Sequence, residues 1–137
     1  MSNSKSIGIA YSDQDIDGAD TLAANTQFGY ATGGQGSVTQ ASSKATGVTL
    51  NKPSGQITMN NASLAAQTNV GFTLTNSTIS AKDTLVLTIA SGATVASYNA
   101  WVTSLSAGSA TLNLRNITAA TTLSEAVVLN FAIIHLL

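Results

Sequence analysis

Carboxylates alternate in Asp13-Gln14-Asp15-Ile16-Asp17-Gly18, and Asp20 follows closely. Hard oxygen donors at every second position, followed by a glycine, correspond to the first half of an EF-hand loop, where positions one, three and five ligate Ca²⁺. The second half departs from that pattern. Position twelve, which should be a bidentate Glu, is Ala24, and Ile7-Gly8-Ile9-Ala10 upstream is no amphipathic entering helix. Three readings stay open: a Ca²⁺ site at Asp13, Asp15, Asp17 and Asp20 completed by backbone carbonyls, a solvated acidic loop, and an acidic arm steered by charge onto a basic patch of a partner. No resident metal or other cofactor is otherwise expected.

The groups needed for nucleophilic or acid–base catalysis are sparse. Cysteine is absent and the single histidine is His135, so a Ser-His-Asp set would have to recruit that imidazole with an acid distant in sequence, and no nucleophile elbow is present. From residue 21 onward the only acids are Asp83 and Glu125. Asp83 follows Lys82 in a turn-like stretch that suits a solvated corner, which leaves little for paired-carboxylate chemistry. No catalytic residue is assigned and no enzymatic activity is expected. The sequons at Asn61, Asn76 and Asn116 are about as many as chance supplies in a chain this rich in Asn, Ser and Thr. Gly33-Gly34-Gln35-Gly36 lacks the spacing of a phosphate-binding loop and precedes no helical pattern. Trp101, Tyr98, Tyr30, Phe28 and Tyr11 could stack on sugars if several shared one exposed face, but Tyr98 and Trp101 have opposite parity, so one should be core and the other surface, which works against a shared platform.

The elements that would hold these residues are strands. Val48 and Leu50, Ile57 and Met59, and Val70, Phe72 and Leu74 each keep period two. So do Leu85, Leu87 and Ile89, then Tyr98, Ala100 and Val102, then Leu112 and Leu114. Ala126 to Ile134 is apolar on both faces, as a central or covered strand would be. Turn residues separate the runs at Lys52-Pro53-Ser54-Gly55, Asn60-Asn61, Thr75-Asn76-Ser77, Ser91-Gly92-Ala93 and Ala107-Gly108-Ser109. The pattern predicts an all-β protein: a single sandwich, Ig-like or jelly-roll-like, of seven or eight short antiparallel strands. Residues 62–67 are a candidate for one helical turn. Residues 1–27 form an extended N-terminal arm and 28–137 the sandwich, with the Gly33–Gly36 segment as a flexible connection.

Composition narrows the function. Of 137 residues 44% are hydrophobic and 8% charged, with a formal charge of -1; an average domain carries about 25% charge. That balance offers no field for nucleic acid. The polar start has no signal-peptide pattern, and the apolar run from Ala126 to Leu137 is too short to span a bilayer, so no membrane partner is expected. Acidity is concentrated in the arm, while residues 21–137 hold four basic side chains against two acidic ones. A nearly uncharged Ser/Thr-rich surface is poorly protected against self-association. The apolar end Ile134, His135, Leu136 and Leu137 is therefore expected to be covered by another subunit, in a ring that is most simply a homotrimer.

Longer phrases carry a resemblance. Gly33-Gly-Gln-Gly-Ser-Val-Thr-Gln-Ala-Ser-Ser-Lys-Ala-Thr-Gly-Val-Thr-Leu-Asn-Lys52, Gly55-Gln-Ile-Thr-Met59, Phe72-Thr-Leu-Thr-Asn-Ser77, Arg115-Asn-Ile117 and Leu123-Ser-Glu-Ala-Val-Val-Leu-Asn-Phe-Ala-Ile133 resemble small β-sandwich proteins in the structural modules of tailed bacteriophages. The resemblance covers about residues 28 to 134. It implies a virion protein of the capsid decoration, or cement, type, made in the host cytoplasm and placed on the outer surface of the capsid with the major capsid protein as partner. The arm lies outside the resemblance; its apolar Ile7, Ile9 and Tyr11 and its carboxylates Asp13, Asp15, Asp17 and Asp20 are expected to contact the shell through burial and charge. The alternative is a fibre-tip or receptor-binding module that recognises a host glycan.

Overall fold

Alternation of side chains along an extended backbone sends odd and even positions to opposite faces, so each period-two run needs a second layer to cover its apolar side. In the computed structural model, which describes residues 20, 21 and 23–136, that layer is a second sheet. The strands are β1 (Ser37–Thr39), β2 (Val48–Thr49), β3 (Ser54–Thr58), β4 (Asn69–Thr75), β5 (Thr84–Ser91), β6 (Tyr98–Ser106), β7 (Ser109–Asn116) and β8 (Val128–Ile134). The first sheet has the order β1-β3-β8-β5 and the second β2-β4-β7-β6. The expected β-sandwich is the fold. Its longer pairs are antiparallel, whereas the short strands β1 and β2 run parallel to β3 and β4.

The core lies between the sheets. Ile57, Met59, Leu74, Leu112, Leu114, Leu129 and Ile133 are fully buried, with Phe72, Tyr98 and Phe131 beside them. At about 25 cal/mol per Å² of apolar area, this alternation is the main force that fixes which face of each strand points inward. Of the two readings open for Ala126 to Ile134, the structure shows a central strand: β8 pairs on both sides, with Gln56↔Asn130 across to β3 and Thr88↔Asn130 across to β5.

Local expectations changed in three places. Gly55 belongs to β3 and not to a turn; a Cβ there would lie 2.7 Å from both the Gly36 carbonyl and Leu50, so the close approach of two chain segments demands glycine. Residues 62–67 form no helical turn. Leu64 is buried and bridges Leu123 in extended backbone, which outweighs the weak local helical preference. The glycine segment is held in place: the Gly33 carbonyl accepts from Lys52 Nζ at 2.8 Å, that of Gly34 from Ser54 Oγ at 3.0 Å and that of Gly36 from the Gln56 amide at 2.9 Å.

Candidate functional site

Register puts a polar row across the outer face of the first sheet. Ser37 lies opposite Gln56, Gln56 opposite Asn130, and Asn130 opposite Thr88, so one rank runs through all four strands. Gln56 Nε2 donates to Asn130 Oδ1 at 3.0 Å. The next outward positions are Ser54, Ala132 and Val86, after which the face turns apolar toward Ile134. Residues 28–36 form a wall over this face. The Tyr30 hydroxyl donates to the Ile133 carbonyl, and Gln35 Nε2 donates to the Tyr30 carbonyl at 2.8 Å.

Two adjoining depressions result, sharing Gln35 and Ser54. The more polar one, about 540 Å³, is lined by Thr32, Gln35, Ser37, Ser54, Gln56 and Asn130 together with Gly36, Gly55 and Phe131. The other, about 700 Å³, is largely apolar and includes Phe28, Tyr30, Ala132, Ile134 and His135. Phe28 is 86% exposed.

A clamp lies behind the apolar depression. Asp83 is buried, which corrects the solvated corner expected from its neighbour Lys82. Its Oδ2 accepts from the Ser80 amide at 2.7 Å and meets His135 Nδ1 at 3.0 Å, while Oδ1 accepts from the Leu136 amide at 3.3 Å. The Ser80 amide is the main reason the Asp83 carboxyl titrates below the ordinary carboxylate range, with Leu136 and His135 adding to it and burial opposing. Burial, then the charge of Asp83, raises Tyr30.

The far end of β8 carries a second polar node. Lys44 is buried, and its Nζ donates to the Asn60 carbonyl at 2.6 Å and to the Glu125 carbonyl. Burial lowers its pKa against the opposing pull of Glu125. Thr94 donates its hydroxyl to the Glu125 carboxylate, the principal cause of that group's lowered pKa. Tyr98 Oη and Glu125 Oε2 are both buried, each without a partner in hydrogen-bond geometry; desolvation and then Glu125 push the phenol upward. Asp83 and Glu125 thus flank opposite ends of β8, a seven-residue strand rising about 3.4 Å per residue, and do not face each other.

The other candidates fall as follows. Ile7, Ile9, Tyr11, Asp13, Asp15, Asp17 and Leu137 lie outside the described residues, and Asp20 is exposed. Among the described residues no group of three or more His, Asp or Glu could hold a metal ion. Among them, too, no helix is long and apolar enough to cross a membrane. Ile134 and Leu136 are each 57% exposed, and His135 sits between them against Asp83. Tyr98 is core and Trp101 half-buried on the opposite face of β6, as their parity required. The aromatic pair that does share a depression, Phe28 with Tyr30, comes from the segment entering the sandwich. Comparison with protein-family models, with curated proteins and with solved structures returned no match.

Proposed function

We propose that this chain is a non-enzymatic structural component of a tailed-phage virion, a decoration protein that stabilises the capsid from its outer surface by bridging capsomers. What supports the reading is the gathering of exposed apolar side chains at one end of the first sheet: Ile134 and Leu136 at 57% exposure and Val86 at 45%. Isolated exposed apolar residues are ordinary, but several at one end of a sheet, around the root of the N-terminal arm, mark an interaction surface. The strand edges add to this. β5 and β6 are the outer strands at one flank, and neither contains a charged residue to discourage association.

The mechanism is linkage. A protein that binds the assembled shell and not its separated subunits stabilises the shell by mass action. The arm, through Ile7, Ile9, Tyr11 and the Asp13 to Asp20 carboxylates, holds the major capsid protein, and the Ile134–Leu137 end holds copies of the same chain in a trimer. Mixing the purified protein with undecorated expanded shells is the test. Saturable binding that raises the shell's melting temperature is expected; absence of binding overturns the reading, and binding unaffected by deletion of residues 1–27 removes the role of the arm.

A further inference from the structure

We propose that the outer face of the first sheet binds a neutral oligosaccharide, with Gln35, Gln56 and Asn130 reading its hydroxyls and Phe28 and Tyr30 covering an apolar ring face. This does not rest on the decoration reading, since the groove works equally on a shell or on a fibre.

The groove has the chemistry a sugar needs. A pyranose presents neighbouring hydroxyls, each donor and acceptor, together with a face of C–H groups. Carboxamides answer the hydroxyls because each carries a carbonyl acceptor beside an NH₂ with two donors. The Gln56 to Asn130 bond at 3.0 Å occupies one donor and one acceptor and leaves Gln56 Oε1 and Asn130 Nδ2 available on exposed side chains. Gln35, held through Nε2 to the Tyr30 carbonyl, keeps its Oε1. Ser37, Ser54 and Thr32 add hydroxyls around them. Adjacent strands lie about 4.8 Å apart, so side chains on β1, β3 and β8 are spread over roughly 10 Å, the reach of a short oligosaccharide.

Charge decides the ligand class. The polar depression is lined by no ionisable side chain, and those of the apolar one are Tyr30 and His135. Lys52, which borders the wall, is bonded to the Gly33 carbonyl at 2.8 Å. An anionic ligand would therefore lose its water without gaining the charge-assisted bonds that usually hold carboxylate or phosphate. A purely apolar ligand would strand the amides. Depressions of about 540 and 700 Å³ are in the ordinary range of ligand sites, and the exposed Phe28 ring beside Tyr30 gives the stacking surface. The rank is also pre-set by the sheet, since Gln56 and Asn130 sit on paired strands, which limits the entropy lost on binding.

The test is titration calorimetry of the full chain with maltohexaose, mannohexaose and the hexamer of N-acetylglucosamine, and with a sialylated hexasaccharide as the charged comparison. At least one neutral sugar should bind saturably. Q56A/N130A should weaken that binding at least about tenfold, Phe28→Ala should weaken it as well, and Thr73→Ala, on the second sheet, should leave it unchanged. Thermal melts of each variant establish that the fold is intact. No binding to any neutral sugar, binding confined to the sialylated one, or binding that survives Q56A/N130A overturns the proposal. None of these outcomes bears on shell binding, which is measured separately.

Discussion

Asn76 and Asn116 act alike at opposite ends of the β4–β7 pair. In each, Oδ1 accepts from the amide and hydroxyl of the threonine two residues on, at 2.9 and 2.8 Å for Thr78 and at 3.0 and 2.7 Å for Thr118. The amide nitrogens then donate across the chain, Asn76 to the Lys52 carbonyl at 2.7 Å and Asn116 to the carbonyls of Leu64 and Thr121 at 2.9 and 2.8 Å. The Asn-x-Thr spacing that reads as a sequon is here a buried turn lock. Asn116→Ala should lower unfolding free energy by roughly 2 to 4 kcal/mol, because it strands several buried backbone groups, whereas exposed Asn61→Ala should change it by less than about 0.5 kcal/mol; urea unfolding distinguishes the two. Acid adds a second residue-scale outcome. Asp83 and Glu125 titrate below their ordinary range when folded, so the unfolded chain takes up their protons first as pH falls. Their contribution is complete above the ordinary carboxylate range and is lost as pH drops through the lowered values. The melting temperature should therefore fall between about pH 5 and pH 2, and Asp83→Asn should be less stable at neutral pH and show a flatter fall with acid. An equally steep fall in that variant would remove Asp83 from the account.

Among the elements, β2 through β8 were legible and the short β1 was not. β4 through β8 alternate over seven residues or more, enough for the hydrophobic face to declare itself. β1 has three residues, Ser-Val-Thr, with only Val38 facing the core, so its local pattern matches that of a loop. It is a strand because β3 offers it an edge. Gly92 shows the same dependence on tertiary context. Its φ is +71°, and a Cβ would stand 2.3 Å from the Ala126 carbonyl, whereas Gly108, at φ +81°, faces open space. Gly108→Ala should cost about 1 kcal/mol for the left-handed backbone alone, and Gly92→Ala clearly more, since the connection between β5 and β6 must also move away from the segment before β8. Thermal unfolding of the two variants side by side checks the order.

For the whole molecule, the near-absence of charge is matched by where the apolar exposure falls. Val86, Ile134 and Leu136 leave apolar side chains exposed at one end of the first sheet. On the proposed trimer, I134D/L136D should leave the melting temperature within a few degrees of the parent, as expected of exposed positions, while sedimentation equilibrium should show the variant as a monomer where the parent is a trimer. An unchanged sedimentation profile would remove the proposed role of Ile134 and Leu136 in a subunit contact. The sequence alone determined the β class, the apolar faces of β4, β5 and β7 and the opposite parity of Tyr98 and Trp101, because alternation is a local property of extended backbone. Tertiary structure decided what meets what. Asp83 finds His135 at a separation of 52 residues, Gln56 finds Asn130 at 74, and Lys44 reaches the Glu125 carbonyl at 81. Backbone hydrogen bonds are chemically the same in every strand, so strand order and register follow from how all the faces close on one core, and only that closure aligns Ser37, Gln56, Asn130 and Thr88 in a single row.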